Sequence, residues 1–462
     1  MSETSPLLPS TATSTYTRKC TSVVAVLSGL VFSVFVAIAI AVPVVLKSDN
    51  AVEVKVEDTA QGEYSLKNKI KTRDGYLEAA RAIMQKVPLV DGHNDFPWSV
   101  RTNWDNQLSL FNMHDDLTEF AETDIPRLRE GHVGAQFWAA YVPCETQFQD
   151  SLRQTMDQID VIKRFVKQYS ETFQFVTTSQ GILDAHYNGR IGSLIGVESG
   201  HGIDSSLATI RLMYENGVRY MTLTHNCNTP WADNNKMTRD NTSEHDGLTD
   251  WGKIVVKEMN RLGMMVDLSH VSFMTMEDAL DTSEAPIIFS HSGSYSICNH
   301  ERNVPDHILD KTKDNGGIVM VNFVEDFVNC YPNKQEWSDV SQVADHIEYI
   351  ANRIGVDYVG IGSDYDGTSS LPIGLEDVST FPNLVAEMLY RGWQQEDIEK
   401  LIGLNLLRVF RHVEMVRDSL SDKPPYENRF RKGDSKEEDN NICRTHKYNL
   451  EESSPTKRHI DC

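Results

Sequence analysis

Basic side chains are in short supply. The 462-residue chain has 44 Lys and Arg against 67 Asp and Glu, a formal net charge of −23. That balance argues against a nucleic-acid reader that works by neutralising phosphates. The deficit sits in the body of the chain, where residues 48–420 hold 32 basic and 57 acidic side chains. Cysteine is scarce as well, with seven in all, and only Cys144, Cys227, Cys298 and Cys330 fall between residues 48 and 420. Four are too few to scaffold a domain of that size. Their even number suits an oxidising compartment, and three pairings are open to them. No internal repeat of 20–50 residues is evident, which argues against a solenoid. No Gly-x-Gly-x-x-Gly follows an early strand, so a dinucleotide-binding fold lacks its fingerprint. With 40% hydrophobic and 24% charged residues, the chain has the composition of a folded protein with a sizeable core.

One absence is local. Residues 20–46 contain no charged side chain and are dominated by Val, Ala, Ile and Leu, long enough to cross a bilayer as a tilted helix. The run exceeds the apolar core of a cleaved signal peptide. Arg18 and Lys19 precede it, whereas Asp49, Glu53, Glu57 and Asp58 follow. The positive-inside rule then predicts a single-pass type II protein, with its arm in the cytosol and its body extracellular or lumenal. In the arm, Glu3-Thr4-Ser5-Pro6-Leu7-Leu8 matches an acidic dileucine signal for endosomal or lysosomal sorting. The body contains one usable glycosylation sequon, at Asn241. The expected organisation is a cytoplasmic arm (1–18), a transmembrane signal-anchor (19–47), a polar stalk (48–70), one catalytic domain (71–420) and a mobile, apolar-poor tail (421–462).

Within 71–420, short β-branched runs alternate with amphipathic helical stretches. The runs fall near Val87–Val90, Ala135–Val142, Ile191–Val197, Val218–Thr224, Met264–Leu268, Pro286–Phe289, Ile318–Phe323 and Tyr358–Ile361. Between the last two, Val343, Ile347, Ile350 and Ile354 recur at helical spacing. Alternating strands and helices imply a parallel sheet. Eight units in one domain favour an α/β fold closed as a (β/α)8 TIM-type barrel. A ninth run, Phe173–Val176, reads as an inserted strand or a helix end. Met264, Met265, Phe137 and Trp138 read as core, His201 as a loop residue and Asp366 as a turn residue before Gly367.

Polar residues able to bind metal follow these runs, where a barrel places its active site. The first run leads into Asp91-Gly92-His93-Asn94-Asp95, and alternation along an extended segment would put His93 and Asp95 on one side. Glu198 ends the third run, His270 follows the fifth, His291 the sixth and Asp364 the eighth. A lone histidine at a strand end is more often a satisfied buried side chain than a ligand. Five such residues at the ends of four strands are hard to attribute to chance. They outnumber the needs of one tetrahedral zinc and suit two Zn2+ ions bridged by Glu198. Two cations 3.5 to 4 Å apart make hydroxide available near neutral pH, so hydrolysis of a carbonyl compound is the expected reaction. Asp364 is placed to relay the proton, and His225, after the fourth run, to donate to the oxyanion.

Together, Val90-Asp91-Gly92-His93-Asn94-Asp95, Gly134-Ala135-Gln136-Phe137-Trp138, Leu223 to Asp233 (LTHNCNTPWAD), Asp267-Leu268-Ser269-His270 and Arg302-Asn303-Val304-Pro305 closely resemble the membrane dipeptidase (renal dipeptidase) family of binuclear zinc peptidases. The resemblance runs from about residue 75 to about 415. It implies His93 and Asp95 on one zinc, His270 and His291 on the other, and Glu198 bridging. It also implies Asp364 as acid/base, His225 against the transition state, and Arg302 on the substrate's terminal carboxylate. A guanidinium there would select dipeptides, a role that sequence alone hides, since Arg302 otherwise reads as a solvated loop charge. The family further implies the pairs Cys144–Cys227 and Cys298–Cys330, an interchain bond at Cys443 giving a disulfide-linked homodimer, and action on β-lactams and cysteinyl-glycine conjugates. Two departures stand out. The polar C-terminus, Lys457 to Cys462, is not a lipid-anchor signal, a part the N-terminal helix would replace. Phe327 stands where better-known members carry a tyrosine beside the substrate carboxylate. Two alternatives remain: a different amidohydrolase on the same barrel, such as a lactonase or deaminase, and a non-catalytic ectodomain for adhesion or ligand capture.

Overall fold

The computed structural model describes residues 72–330 and 338–430, all within the compact unit Tyr64–Cys462. The expected arm, anchor and stalk, and Cys443, lie outside the described residues. Among those described, no helix is long and apolar enough to cross a membrane.

Nine parallel strands form the centre: β1 (Leu89–Asn94), β2 (Val133–Tyr141), β3 (Phe173–Phe175), β4 (Ile191–Glu198), β5 (Val218–Thr222), β6 (Met265–Asp267), β7 (Ile288–Phe289), β8 (Ile318–Val321) and β9 (Val359–Ile361). Neighbours run β2-β1-β9-β8-β7-β6-β5-β4, and β2 pairs with β4 from Ala135↔Gly192 to Tyr141↔Glu198. That pairing closes eight strands into the expected barrel. The strands are buried along nearly their whole length, as helices around a parallel barrel require.

β3 is the ambiguous ninth run, and it is an inserted strand. It pairs with β4 only over Ile191–Ser193, while β5 takes the same edge from Ile195 to Glu198. β3 therefore fills a stretch of edge that the barrel leaves open below β5, and it does not interrupt the ring.

The outer helices follow the apolar spacing. In the helix Val340–Ile354, Val343, Ile347, Ile350 and Ile354 are all buried, and its start is fixed by a reciprocal cap in which Asp339 accepts from Ser341 N and Gln342 accepts from Asp339 N. Met264, Met265, Phe137 and Trp138 lie in the core, as expected. Inside the ring, Gly196 makes room for a large neighbour, because a Cβ there would lie 2.0 Å from the Tyr220 ring. Tyr220 can thus cross the barrel interior.

The two disulfides are Cys144–Cys227 and Cys298–Cys330, the pairing implied by the resemblance. The stretch 421–430, assigned from composition to the mobile tail, lies against the domain. Tyr426 N donates to the buried Glu258 carboxylate, which also accepts from Arg211 and Arg261. Beyond it, the Phe430 ring meets Trp251 edge-on at 5.4 Å. Only Tyr426 and Phe430 are partly buried in this stretch, and its other residues are exposed, in keeping with an apolar-poor composition.

Candidate metal centre

All strands point the same way, so the residues that follow them gather at one mouth. His93 belongs to β1 and Glu198 ends β4, while His225, His270, His291 and Asp364 lie just beyond β5, β6, β7 and β9. Their side chains meet. His93 Nε2 is 3.1 Å from Asp95 Oδ2, 3.4 Å from Glu198 Oε2 and 3.9 Å from Asp364 Oδ1. Glu198 Oε1 lies 2.9 Å from His270 Nε2, 3.4 Å from His291 Nε2 and 4.0 Å from His225 Nε2. Every expected ligand is buried. Asp95 arrives by a different route from the one expected: β1 stops at Asn94, and Asp95 begins the helix Phe96–Trp104. A turn into that helix, and not alternation along a strand, brings its carboxylate back towards His93.

The far side of each imidazole decides what the near side can do. Asn226 Oδ1 is 3.2 Å from His270 Nδ1 and can only accept, so Nδ1 carries the proton. Ser290 gives its hydroxyl proton to Asp267 Oδ2 at 2.6 Å and therefore accepts from His291 Nδ1 at 2.8 Å. The Tyr220 hydroxyl donates to Gly92 O at 3.2 Å and is left to accept from His93 Nδ1 at 2.9 Å. Burial keeps His270 and His291 well below the usual imidazole range, so both turn an unprotonated Nε2 towards Glu198, 2.9 Å apart. His93 is held above that range, against its burial, by Tyr220, Glu198 and Asp95, a demand for positive charge at its Nε2 that a cation would meet in place of the proton. Bare nitrogen lone pairs crowded against carboxylate oxygens repel one another unless a cation lies among them. The buried Asp95 Oδ1 has no hydrogen-bond partner, a second unmet demand at the same place. Imidazole nitrogens with carboxylate oxygens suit zinc, and Nδ1 held by an outer partner is the usual way of aiming such ligands.

Around the cluster, burial decides the charges. Burial beside Asp95 and Glu198 pushes the Asp364 carboxyl up to about 8, against the pull of His93 and Arg302. Desolvation lowers His225 to about 4, so its ring is neutral. Its Nδ1 lies 4.0 Å from Cys144 Sγ, and on the other side of that disulfide Cys227 Sγ is 3.8 Å from His201 Nδ1. His201 does belong to a loop, in the turn Gly200–Ile203, but it is buried there. Asp366 is the expected turn residue, with φ at 65°.

Arg302 corrects the impression of a solvated charge. It is 4% exposed, its guanidinium stands 5.0 Å over the Phe327 ring, and its Nη2 donates to His291 O at 3.4 Å. Its buried Nε has no partner, so the head is under-used by the protein itself. Asn241 is exposed, as a glycosylation site must be.

Sequence reasoning missed the outer supports. Asp91 accepts from Ser363 N and Oγ and from Gln136 Nε2, tying β9's end to β1. Asp267 accepts from Thr222, Ser269 N and Ser290 across β5, β6 and β7. The available signal was an aspartate inside an otherwise apolar run. A further group, Asp233, Glu244 and His245, also has metal-like spacing. There the Asp233 oxygens are already taken by Ser243 Oγ and the Glu244, His245 and Gly247 N–H groups, so it braces its own loop.

Comparison with known proteins agrees with this geometry. The model of the membrane dipeptidase family (peptidase family M19) matches residues 77–424. Dipeptidase 3 of Mus musculus is 45% identical over 370 residues, covering 80% of this chain and 72% of the relative. Dipeptidase 3 of Homo sapiens is 45% identical over 352 residues, covering 76% and 70%. Among solved structures, a dipeptidase AC of the same peptidase family superposes with a TM-score of 0.65 at 25% identity, over 71% of this chain and 98% of that one. A Rhodobacter sphaeroides metallopeptidase bound to a phosphinate mimic of L-Ala-D-Ala shares the fold, with a TM-score of 0.65 at 24% identity over 71% and 99%. Barrel, ligand cluster and sequence match lead to one assignment: the chain is a hydrolase of the membrane dipeptidase family, peptidase family M19.

Proposed function

We propose that this protein is a dipeptidase working with two zinc ions, one held by His93 and Asp95, the other by His270 and His291, with Glu198 shared between them. The observation that carries the reading is the convergence of three imidazoles, each with Nδ1 held from behind and Nε2 facing inward, on the Glu198 carboxylate. The chemistry such ions supply when bound is Lewis acidity, which acidifies water and polarises a carbonyl.

The chain's own groups do the rest. Asp364, beside His93 on the mouth, would be ionised next to bound cations despite its burial. It then takes the proton released as water adds to the scissile carbonyl and delivers it to the departing amine as the C–N bond breaks. His225, neutral and held beside Glu198, donates to the carbonyl oxygen as negative charge gathers on it. Arg302 binds the free carboxylate of the substrate with a two-pronged hydrogen bond. With its guanidinium set between His291 O and the Phe327 ring, that grip holds the carboxylate one residue from the attacked bond. Longer peptides place an uncharged amide there and lose it. Cysteinyl-glycine conjugates and β-lactams also carry a carboxylate next to the amide that is cut, so both fit the same grip.

We further place the barrel on the extracellular or lumenal side of a type II anchor formed by residues 19–47, with the dileucine of the arm directing endosomal or lysosomal sorting and Cys443 linking two copies. The acidic surface, the oxidised cysteine pairs and the exposed sequon at Asn241 support this.

Chelation should abolish hydrolysis of glycyl and L-configured dipeptides, and zinc should restore it. Elemental analysis of the active protein should then give two zinc ions per chain, and full activity with one or none would sink the reading. Arg302→Ala should raise KM for dipeptides far more than it changes kcat, so an unaltered KM would remove the carboxylate grip. Tyr220→Phe leaves His93 Nδ1 without its acceptor and should weaken zinc binding by about 10- to 100-fold, as loss of an outer partner does. For the topology, glycosidase treatment of protein made in a secretory host should shift its mobility, and Asn241→Gln should remove the shift. Absence of any glycan would count against a lumenal barrel.

A further inference from the structure

Arg302 has almost nothing of its own to hold it. One hydrogen bond of 3.4 Å to His291 O and the face of the Phe327 ring are the contacts that fix the guanidinium. Its position therefore depends on how the loop that carries it, 292–304, sits against the segment that carries Phe327, Glu325–Val328. Apart from the Cys298–Cys330 disulfide, whose Cys298 Sγ lies 3.8 Å from Asp326 O, two side chains join those backbones. His346, buried on the inner face of the helix Val340–Ile354, accepts from Ser294 N at 2.8 Å through Nδ1 and donates to Val328 O at 3.1 Å through Nε2. Asn303 accepts from Gly293 N at 2.8 Å and donates to Phe327 O at 2.7 Å and Cys298 O at 3.0 Å. The two meet at Gly293, where a Cβ would lie 2.6 Å from Asn303 Oδ1 and 2.7 Å from His346 Nδ1. The joint is closed to the point of excluding a methyl group.

We propose that His346 is a positioning residue for substrate recognition: with Asn303, it locks the Arg302 loop to the Phe327 segment and so sets the guanidinium at the height where it meets the substrate carboxylate. This rests on the reading that Arg302 grips that carboxylate. His346 suits the task because it presents one acceptor and one donor at opposite corners of a rigid ring. Each satisfies a buried main-chain group that would otherwise lack a partner. It touches neither substrate nor ligand. Its effect is confined to the loop geometry, so binding of the carboxylate should suffer while the proton chemistry around Asp364 is left alone.

The test is steady-state hydrolysis of one dipeptide by zinc-loaded protein carrying His346→Leu, His346→Gln, Arg302→Ala, or His346→Leu with Arg302→Ala. His346→Leu should raise KM roughly tenfold, the size of loosening one hydrogen bond to a charged group, with kcat within about twofold and zinc content unchanged. His346→Gln, whose amide also offers an acceptor and a donor, should recover most of the KM. In the Arg302→Ala background, His346→Leu should add nothing, because residues acting through one contact are not additive. If His346→Leu does not fold, Asn303→Ala, which cuts the tie to Phe327 O, carries the same expectation. A raised KM for Arg302→Ala with no change for His346→Leu or Asn303→Ala would overturn the clamp and leave the carboxylate grip standing. Additive effects in the double variant would overturn it too. An unaltered KM for Arg302→Ala would remove the grip and the clamp together.

Discussion

The structure turns on a crowd of lone pairs that cannot be left as they are. Glu198 stands at the end of β4 with His93, His270 and His291 aimed at it, each ring fixed from behind so that its Nε2 faces inward. Much else follows from keeping that arrangement. Tyr220 spans the barrel interior to hold one ring, and Gly196 is small so that it can. Asp267 ties three strand ends together and, through Ser290, fixes another ring. Asp91 does the same for β1 and β9, which present His93 and Asp364. The two buried aspartates are expensive in desolvation, and each is matched by several donors. Their task is orientation, since neither faces the mouth.

The barrel was legible because its signal is repeated. Eight β-branched runs separated by helical spacing leave few architectures, and errors at single edges do not alter the topology. The main misplacement, of the edges of β1, had a physical cause: the strand continues through Asp91-Gly92-His93-Asn94, where polar side chains hide extended backbone that is satisfied by the ladder and by Ser363. The inserted β3 was visible as a run but not as a partner, because only the assembled sheet shows the free edge of β4 below β5.

The side-chain cluster could be read because each member lies at the end of a strand or just past it, and a parallel barrel converts that one-dimensional fact into proximity. What composition could not convey was environment. Arg302 looked like a surface charge since its neighbours in sequence are polar, yet it is buried by Phe327, from beyond β8, and by His291, which lies eleven residues earlier after β7. In the segment 421–430 the two aromatics that Trp251 and Glu258 meet, Tyr426 and Phe430, count for little in an average, and the residues around them are exposed as that average implies. Tyr220, Asp267 and His346 were missed because a polar side chain inside an apolar pattern signals only that some partner exists. Naming the partner takes the fold.

Both disulfides lie at the mouth. Cys144–Cys227 ties the segment after β2 to the one after β5, and Cys298–Cys330 ties the Arg302 loop to the stretch after β8. None of the described sulfur bridges crosses the barrel floor or staples a helix to a strand. Scaffold and rim thus rest on different chemistries, the first on buried apolar surface, the second on oxidised thiols as well. A compartment's redox poise would govern how well the opening is shaped, while leaving the cylinder beneath it indifferent.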